Sequence, residues 1–415
     1  MSTPPPTNPS PPLRVVYLCT TFPLLSETFI QRELRALSRL DSLQLEIVSI
    51  WKGQPHWEGL PVSRYRLSRL LTLPFHLGWW LWHRPRPVLS LLGKLLRRRY
   101  PTSQNRQENW LGFAYALTEA RRFAARPPNL FHANWATMPA TAAFLLSQLL
   151  DRPFSTGAHA YDIFSGGGDA LLREKIESAG FVQCSTTLAA DSLRQRFGTH
   201  LPIRLLRRSL DPFPALEPFQ PQLPQPLPLL TVGRLVPKKH LLFLVDILQS
   251  LKQSGLAFKA TIIGDGPERG EIENRIQERG LGHEIELTGA LPPEAVEEQM
   301  RRGGIFLFTG KVAPDGDRDG LPNVIPEAMA IGLPVIASTT AGPSEAITSG
   351  ANGILCNPDN VGEWTEAITR LAGDPRLRES MAREARHWVE IHFDSYSNAT
   401  RLREWWVGLD KRGPS

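Results

Sequence analysis

The 415-residue chain lacks any run of roughly 18 apolar residues, so no helix is expected to cross a bilayer. Cysteine is scarce. Cys19, Cys184 and Cys356 lie far apart in apolar, strand-like stretches, with no CxxC and no metal-ligand spacing. This argues against a disulfide framework or a thiolate metal site and leaves three buried thiols suited to a reducing cytoplasm. The opening stretch MSTPPPTNPSPP has neither a basic n-region nor an apolar h-region, so residues 1–13 are expected to form a short disordered tail, not a secretory signal. Glycine is missing where a nicotinamide enzyme needs it. The first predicted strand, Arg14–Thr20, runs into Thr21-Phe22-Pro23-Leu24-Leu25 with no GxGxxG. In the second half, Gly264-Asp265-Gly266 is followed by Pro267, where a helix would have to open towards a pyrophosphate. Hydride transfer is disfavoured.

Basic charge is plentiful but local. Residues 51–110 hold eleven Lys or Arg against Glu58 and Glu108, although the whole chain carries a net charge of only +6. The same stretch holds six of the eleven tryptophans: Trp51, Trp57, Trp79, Trp80, Trp82 and Trp110. One local basic, aromatic surface is implied, and no nucleic-acid partner.

The chain is long enough for two domains. Strands are predicted at Arg14–Thr20, Leu45–Ile50, Leu130–His132, Pro153–Thr156 and Phe181–Cys184. Helices are predicted between them near 27–40, 139–149 and 170–179, and 51–110 reads as a long irregular insertion. Alternation of this kind means a parallel sheet covered on both faces. The proline-dense 212–228 reads as the linker. Alternation then restarts with strands at Leu229–Gly233, Ala260–Gly264, Ile285–Thr288, Ile305–Phe308 and Pro334–Ser338, and the tail from Pro375 to Leu409 is helical by periodicity. The fold class is α/β with two doubly wound parallel-sheet domains. The first covers 14–211, the second 229–392, and residues 393–415 form a helix that returns to the first domain. Leu402, Trp405, Trp406 and Leu409 on that helix need a partner surface.

Three loops of the second half fall at the carboxyl ends of predicted strands, the edge where such sheets bind ligands. The first, Gly233-Arg234-Leu235-Val236-Pro237-Lys238-Lys239, turns sharply at Gly233 and presents a guanidinium and an ammonium suited to a diphosphate. The second runs from Asp319 to Ala330. Seven residues separate Asp319 from Glu327. Gly320 keeps the loop free of a side chain, and a helix beginning near Asn323 directs unbonded N–H groups at the same edge. Glu327, one turn in, suits a ribose diol, and Asp319 suits sugar hydroxyls. The third, Thr339-Thr340-Ala341-Gly342-Pro343-Ser344-Glu345, is a small-residue turn opening a helix.

In this order GRLVPKK, IIGDGPE, DGLPNVIPEAMAIGLPVIAS, AGPSE and NGILCNPDN resemble the donor half of the family 4 glycosyltransferases. The first half adds CTTFPLLSETFIQREL, HANWATMPA and TGAHAYDIF, similar to the bacterial branch that builds exopolysaccharide and related surface glycans. The resemblance implies the GT-B fold, two Rossmann-like domains facing a cleft, and transfer of a hexose from a nucleotide sugar with retained configuration to a glycan or lipid-linked acceptor. It implies that Arg234 and Lys239 grip the pyrophosphate and Glu327 holds the ribose. Gly233, Gly320, Leu321, Pro322, Asn323 and Val324 line the donor site. Asp319 stands where the family usually has Glu, and His159 matches the histidine that faces the donor sugar. Two departures stand out. Arg207-Arg208-Ser209-Leu210-Asp211 replaces a His-Asn-Gly-Val-Asp turn, and His240 replaces the Gly after the phosphate lysine.

The resemblance further implies front-face attack without a protein nucleophile, the leaving phosphate taking the acceptor proton. No cofactor and no metal are expected. Asp315-Gly316-Asp317 has DxD spacing but reads as a solvated turn. Two other readings stay open: a nucleotide-sugar epimerase of the same fold, and an inactive subunit of a polysaccharide assembly. The protein is expected in the cytoplasm, with peripheral contact to an anionic inner leaflet. Residues 86–99, RPVLSLLGKLLRRR, form an amphipathic helix whose wheel puts Val88, Leu89, Leu91, Leu92, Leu95 and Leu96 on one broad face. Packing of that face on the first domain's sheet is the competing expectation.

Overall fold

The computed structural model describes residues 12–24, 27–159, 161–216, 218–340 and 342–411. Most of the tail expected at 1–13 lies outside them, and Leu13 already belongs to the first strand. The first sheet contains β1 (Leu13–Phe22), β2 (Leu43–Gly53), β3 (His56–Trp57), β4 (Leu60–Arg64), β5 (Leu130–Ala133), β6 (Phe154–Gly157), β7 (Val182–Cys184) and β8 (Ile203–Leu205). Its order is β3-β4-β2-β1-β5-β6-β7-β8, and only the β3–β4 pair is antiparallel. The second sheet contains β9 (Leu227–Val232), β10 (Phe258–Ile263), β11 (Ile285–Gly289), β12 (Ile305–Phe308), β13 (Val335–Ser338) and β14 (Ile354–Cys356), in the order β11-β10-β9-β12-β13-β14. These are the two doubly wound domains of a GT-B fold. Strand β1, LRVVYLCTTF, is buried over most of its length because helices cover both faces of the sheet. Strand order reverses at β1 in the first sheet and at β9 in the second. Each reversal opens a crevice at a carboxyl end, and the functional loops leave from there.

The stretch 51–110 is not an irregular insertion. After β3 and β4 it forms a 3-10 turn and the helices Leu73–His83 and Pro85–Arg97, then enters the 23-residue helix Ser103–Ala125. That last helix is buried along most of its length, so it carries no one-sided apolar stripe. The Trp80 indole donates to the Leu117 carbonyl at 3.0 Å. The 85–97 helix divides its apolar residues. Val88, Leu91 and Leu95 are buried in the first domain's core, whereas Leu89 and Leu96 are exposed. The broad apolar face expected of it is therefore shared, one flank packed in the core and the other open to solvent.

The proline-rich stretch is pinned. Arg378 donates to the Pro221 carbonyl at 2.6 Å and Arg386 to the Pro214 carbonyl at 2.7 Å. The helical tail breaks at Phe393-Asp394 into Pro375–His392 and Ser395–Asp410. Leu402, Trp406 and Leu409 pack with Val15, Tyr17 and Phe181 of the first domain, and the Trp406 indole donates to Ser155 Oγ at 3.1 Å. Trp405 is only partly buried against that cluster. Among the described residues no helix is long and apolar enough to cross a membrane.

Candidate functional site

The second domain's face begins where β9 ends. Gly233 leads into a loop on which Arg234 is exposed, with no ion-pair partner among the described residues. Lys239 is held on three sides. Its Nζ bonds Asp319 Oδ2 at 2.6 Å, lies 5.0 Å from the centre of the Phe308 ring, and its carbonyl accepts from Thr309 Oγ1 at 2.9 Å. An ammonium has three donors, so holding Asp319 leaves capacity for a phosphate. His240 adopts a left-handed backbone, φ +53°, a region that glycine enters more easily than histidine. Its ring stacks on Phe243 at 4.8 Å.

Burial would raise the pKa of Asp319. Lys239 and Lys238 outweigh it and hold the carboxylate below its usual range. Lys238 Nζ also bonds Asp317 at 3.0 Å, while Asp315 accepts the Asp317 N–H. The two acids of the DxD-spaced turn are thus an ion-pair partner and a turn cap. The helix Val324–Ala330 presents Glu327 towards the cleft. Gly342, at φ +92°, approaches so closely that a Cβ would lie 2.3 Å from the Gly320 carbonyl. A Cβ on Gly320 would in turn meet Thr186 of the first domain at 3.0 Å. Glycine at these positions lets the donor loops close on each other and on the opposite domain. Ala341 of the third loop lies outside the described residues, and the helix expected there is a single 3-10 turn, Pro343–Glu345.

The first domain's face is built around His159, after β6. Gly157 lets the ring fold back, since a Cβ there would lie 2.9 Å from His159 Nε2. The ring meets Trp135 and Phe29 edge-on at 5.0 and 5.7 Å, and Nδ1 contacts Ser185 Oγ at 3.3 Å. Burial, aided by the Arg208 charge, drives its pKa well down, so the imidazole is neutral. Asp162 fixes the loop by accepting the backbone N–H of His159 at 2.7 Å and of Ala136 at 2.8 Å. Glu27, after β1, has its pKa raised to about 7 by burial, with Trp135 and Arg208 opposing the shift. Several buried polar atoms here have no partner: both side-chain amide atoms of Asn134 and Arg208 Nε. Buried polar groups are normally bonded, so this concentration of open donors and acceptors marks a face prepared for a polar ligand.

The two faces touch. Arg32 Nη1 bonds Glu327 Oε1 at 2.7 Å. Arg207 Nη1 and the Thr187 N–H reach Glu345 Oε1 at 2.6 and 2.7 Å. Arg208 Nη1 donates to Asn323 Oδ1 at 3.1 Å. Both acids expected to meet the donor freely are therefore already bonded to cations, Asp319 within its own domain and Glu327 across the cleft.

The glycosyl transferases group 1 model matches residues 217–388, most of the second domain. The amylovoran biosynthesis glycosyltransferase AmsK of Erwinia amylovora is 31% identical over 202 residues, 49% of this chain and half the length of that relative. WcaL of Salmonella typhimurium, named for colanic acid biosynthesis, is 26% identical over 92% of this chain and 96% of its own length. The fold of Anabaena Alr3699/HepE, solved with UDP, covers 94% of this chain and 98% of its own with a TM-score of 0.69 at 16% identity. The chain is a glycosyltransferase of the GT-B fold.

In this glycosyltransferase the second domain supplies Arg234, Lys239, Asp319 and Glu327 to one sheet edge, and His159 belongs to the opposing face. Sequence reasoning passed over Arg32, Asn134, Trp135, Glu27 and Arg208 as individual residues. Asn134-Trp135 stood inside the quoted HANWATMPA and Glu27 inside SETF. Arg208 was visible only as a departure from a familiar turn. Arg32 left no signal, because its partner lies 295 positions away.

Proposed function

We propose that this glycosyltransferase moves a hexose from a nucleotide-sugar donor to a glycan or lipid-linked acceptor, with retained anomeric configuration and without a metal, in exopolysaccharide assembly. The observation that carries this reading is Lys239. It is oriented by Asp319 beside the exposed Arg234, at the crevice where the second sheet reverses, across from a neutral His159. AmsK and WcaL, both named for exopolysaccharides, support the substrate class. In this chemistry the bond from the anomeric carbon to the diphosphate oxygen breaks, the acceptor oxygen bonds that carbon on the same face, and its proton passes to the departing phosphate. Fixed cations lower the barrier by meeting the charge that grows on the diphosphate. Neutral His159 is held by Ser185 at Nδ1 and by the Asn134 backbone, so the ring meets a sugar hydroxyl by exchanging one of these contacts. The engagement of Asp317 by Lys238 favours side-chain cations over a divalent ion as the diphosphate's partner.

The test is turnover with a panel of UDP- and GDP-sugars on a lipid-linked acceptor fraction, with chelator present. Product of retained configuration is expected. Strict dependence on Mn²⁺ or Mg²⁺, an inverted product, or release of a free epimerised nucleotide sugar would each refute the reading.

Peripheral docking on an anionic leaflet is the second part of the proposal. Trp82, Leu89 and Leu96 are 84, 56 and 68% exposed, and Arg86, Lys94, Arg97, Arg98 and Arg99 belong to the same stretch. An exposed tryptophan and leucines among basic residues suit a headgroup interface, and each Lys or Arg near it contributes about 1 kcal/mol. Co-sedimentation with phosphatidylserine vesicles but not neutral ones is expected, and equal recovery with both would exclude docking.

A further inference from the structure

The turn joining β8 to the proline-rich stretch departs from the family's familiar sequence and contributes two arginines to the cleft. Arg207 is spent on Glu345 at 2.6 Å. Arg208 has no carboxylate within ion-pair distance among the described residues. Its guanidinium carbon lies 3.7 Å from the centre of the Phe29 ring, which fixes its plane. One Nη donates across the cleft to Asn323 at 3.1 Å, and Nε is buried without a partner. The acids whose fields reach it are otherwise engaged. Asp162 accepts backbone N–H groups, Glu33 accepts from Tyr17 and Gln183, and Asp319 is bonded by Lys239. Glu27 is engaged by the Trp135 indole. Burial lowers the Arg208 pKa to about 10, so the side chain is still cationic at neutral pH.

A half-buried guanidinium whose Nε is buried with its donor open is costly unless something pairs with it. Arg208 and Lys239 approach the loop 319–323 from opposite domains, Lys239 through Asp319 and Arg208 through Asn323. An oxyanion entering between them would complete both. We propose that Arg208 is a third cation for the donor's diphosphate, supplied by the first domain opposite Arg234 and Lys239, so that closing the cleft and meeting the leaving group's charge are one event. This rests on the donor assignment above. A planar guanidinium fits a phosphate bidentately, and an arginine brought in across a cleft is a recurrent way to neutralise phosphate charge in the transition state.

The experiment compares UDP, GDP and the corresponding nucleoside monophosphates by titration calorimetry on the full chain and its variants. Whichever diphosphate binds the wild type, Arg208→Ala is expected to weaken it by about 10- to 100-fold, the scale of a hydrogen bond to a charged group. The monophosphate should change far less, and Arg208→Lys should recover part of the loss. Arg208→Gln, which keeps a polar side chain of similar length, serves if the alanine variant does not fold. Lys239→Ala is the control for the donor assignment. If Lys239→Ala loses diphosphate binding while the neutral Arg208 variants retain it, the inference is overturned. It is also overturned if mono- and diphosphate weaken equally, which marks a structural strut. A loss confined to a donor whose sugar bears a carboxylate, such as UDP-glucuronate, overturns it in favour of sugar recognition. If neither Lys239→Ala nor the Arg208 variants alter diphosphate binding, the donor assignment itself fails.

Discussion

The two faces of the cleft reach similar chemistry by opposite means. On the second domain, charge, loop and helix start are contiguous in sequence: Gly233 to Lys239 is one loop, and Asp319 to Glu327 is another. On the first domain the working groups come from four separate segments, after β1, β5, β6 and β8. They are held together by buried contacts. Asp162 bonds two loops, Phe29 and Trp135 pack on His159, and the buried Lys175 ties the β5 loop to its neighbours. A face written as motifs should fail residue by residue, through lost charge. A face written as packing should fail as a unit, through lost fold.

The largest expected effect tests the packed face. Lys175 Nζ bonds Asp169 at 2.6 Å, the carbonyls of Ala136 and Thr137 at 2.9 and 3.0 Å, and Asn109 at 3.1 Å, and both charged side chains are fully buried. Removing one partner of such a pair leaves the other charge uncompensated. Lys175→Ala should therefore cost about 3–5 kcal/mol of stability, read by urea unfolding, with loss of all activity at moderate temperature. A stable variant with only a donor-binding defect would show that the face does not depend on this network. On the motif-written face, Lys239→Ala should leave the unfolding midpoint near that of the wild type. Nucleoside diphosphate binding should weaken by about 10- to 100-fold, read by calorimetry.

This division explains what was legible in the sequence. The sheets and helices that position the donor loops showed themselves through alternation, and the GRLVPKK and DGLPNVIPEA loops through residue type and spacing. The helix Ser103–Ala125 did not, because a helix buried nearly all round shows no period. Strands β3, β8 and β14 are only two or three residues long and carry too little pattern. The helix expected at 86–99 forms over Pro85–Arg97 and stops before Arg98 and Arg99, but a wheel alone does not tell which leucines face a core. Arg32 and Arg208 gain their meaning only from partners across the cleft. Asp319 was expected to be open to a sugar, and no local signal revealed that Lys239 and Lys238 already hold it.

A subtler test uses pH. Burial lifts Glu27 from the ordinary glutamate value of 4.5 to about 7 in the folded protein. A carboxyl whose pKa is raised by folding stabilises the fold fully below its unfolded value, and that contribution is lost as pH rises through the folded one. Wild-type stability should therefore fall, relative to Glu27→Gln, between about pH 4.5 and 7, and the difference should level off above that window. Thermal midpoints measured in parallel across this range check the sign. A parallel pair of curves would mean that Glu27 ionises in the folded protein as it does in water.

The smallest effect concerns the contact that joins the two faces. Arg32 and Glu327 form a 2.7 Å pair in which each side chain is 20% exposed. Such a pair contributes little, about 0.2–1 kcal/mol. Glu327 is also the group assigned to the ribose, so a nucleotide has to share the carboxylate with Arg32 or displace it. If it displaces Arg32, the pair's energy is subtracted from nucleotide affinity. Arg32→Ala should then bind nucleoside diphosphate up to about fivefold more tightly, which is 1 kcal/mol on the binding scale. The gain should vanish in the Glu327→Gln background, where there is no ion pair to break. Calorimetry on the four proteins of this cycle decides it. Weaker binding by Arg32→Ala alone would mean that Arg32 stays on Glu327 with nucleotide bound and orients the carboxylate for the ribose. The packed face would then reach into the motif-written one, and the two would no longer fail independently.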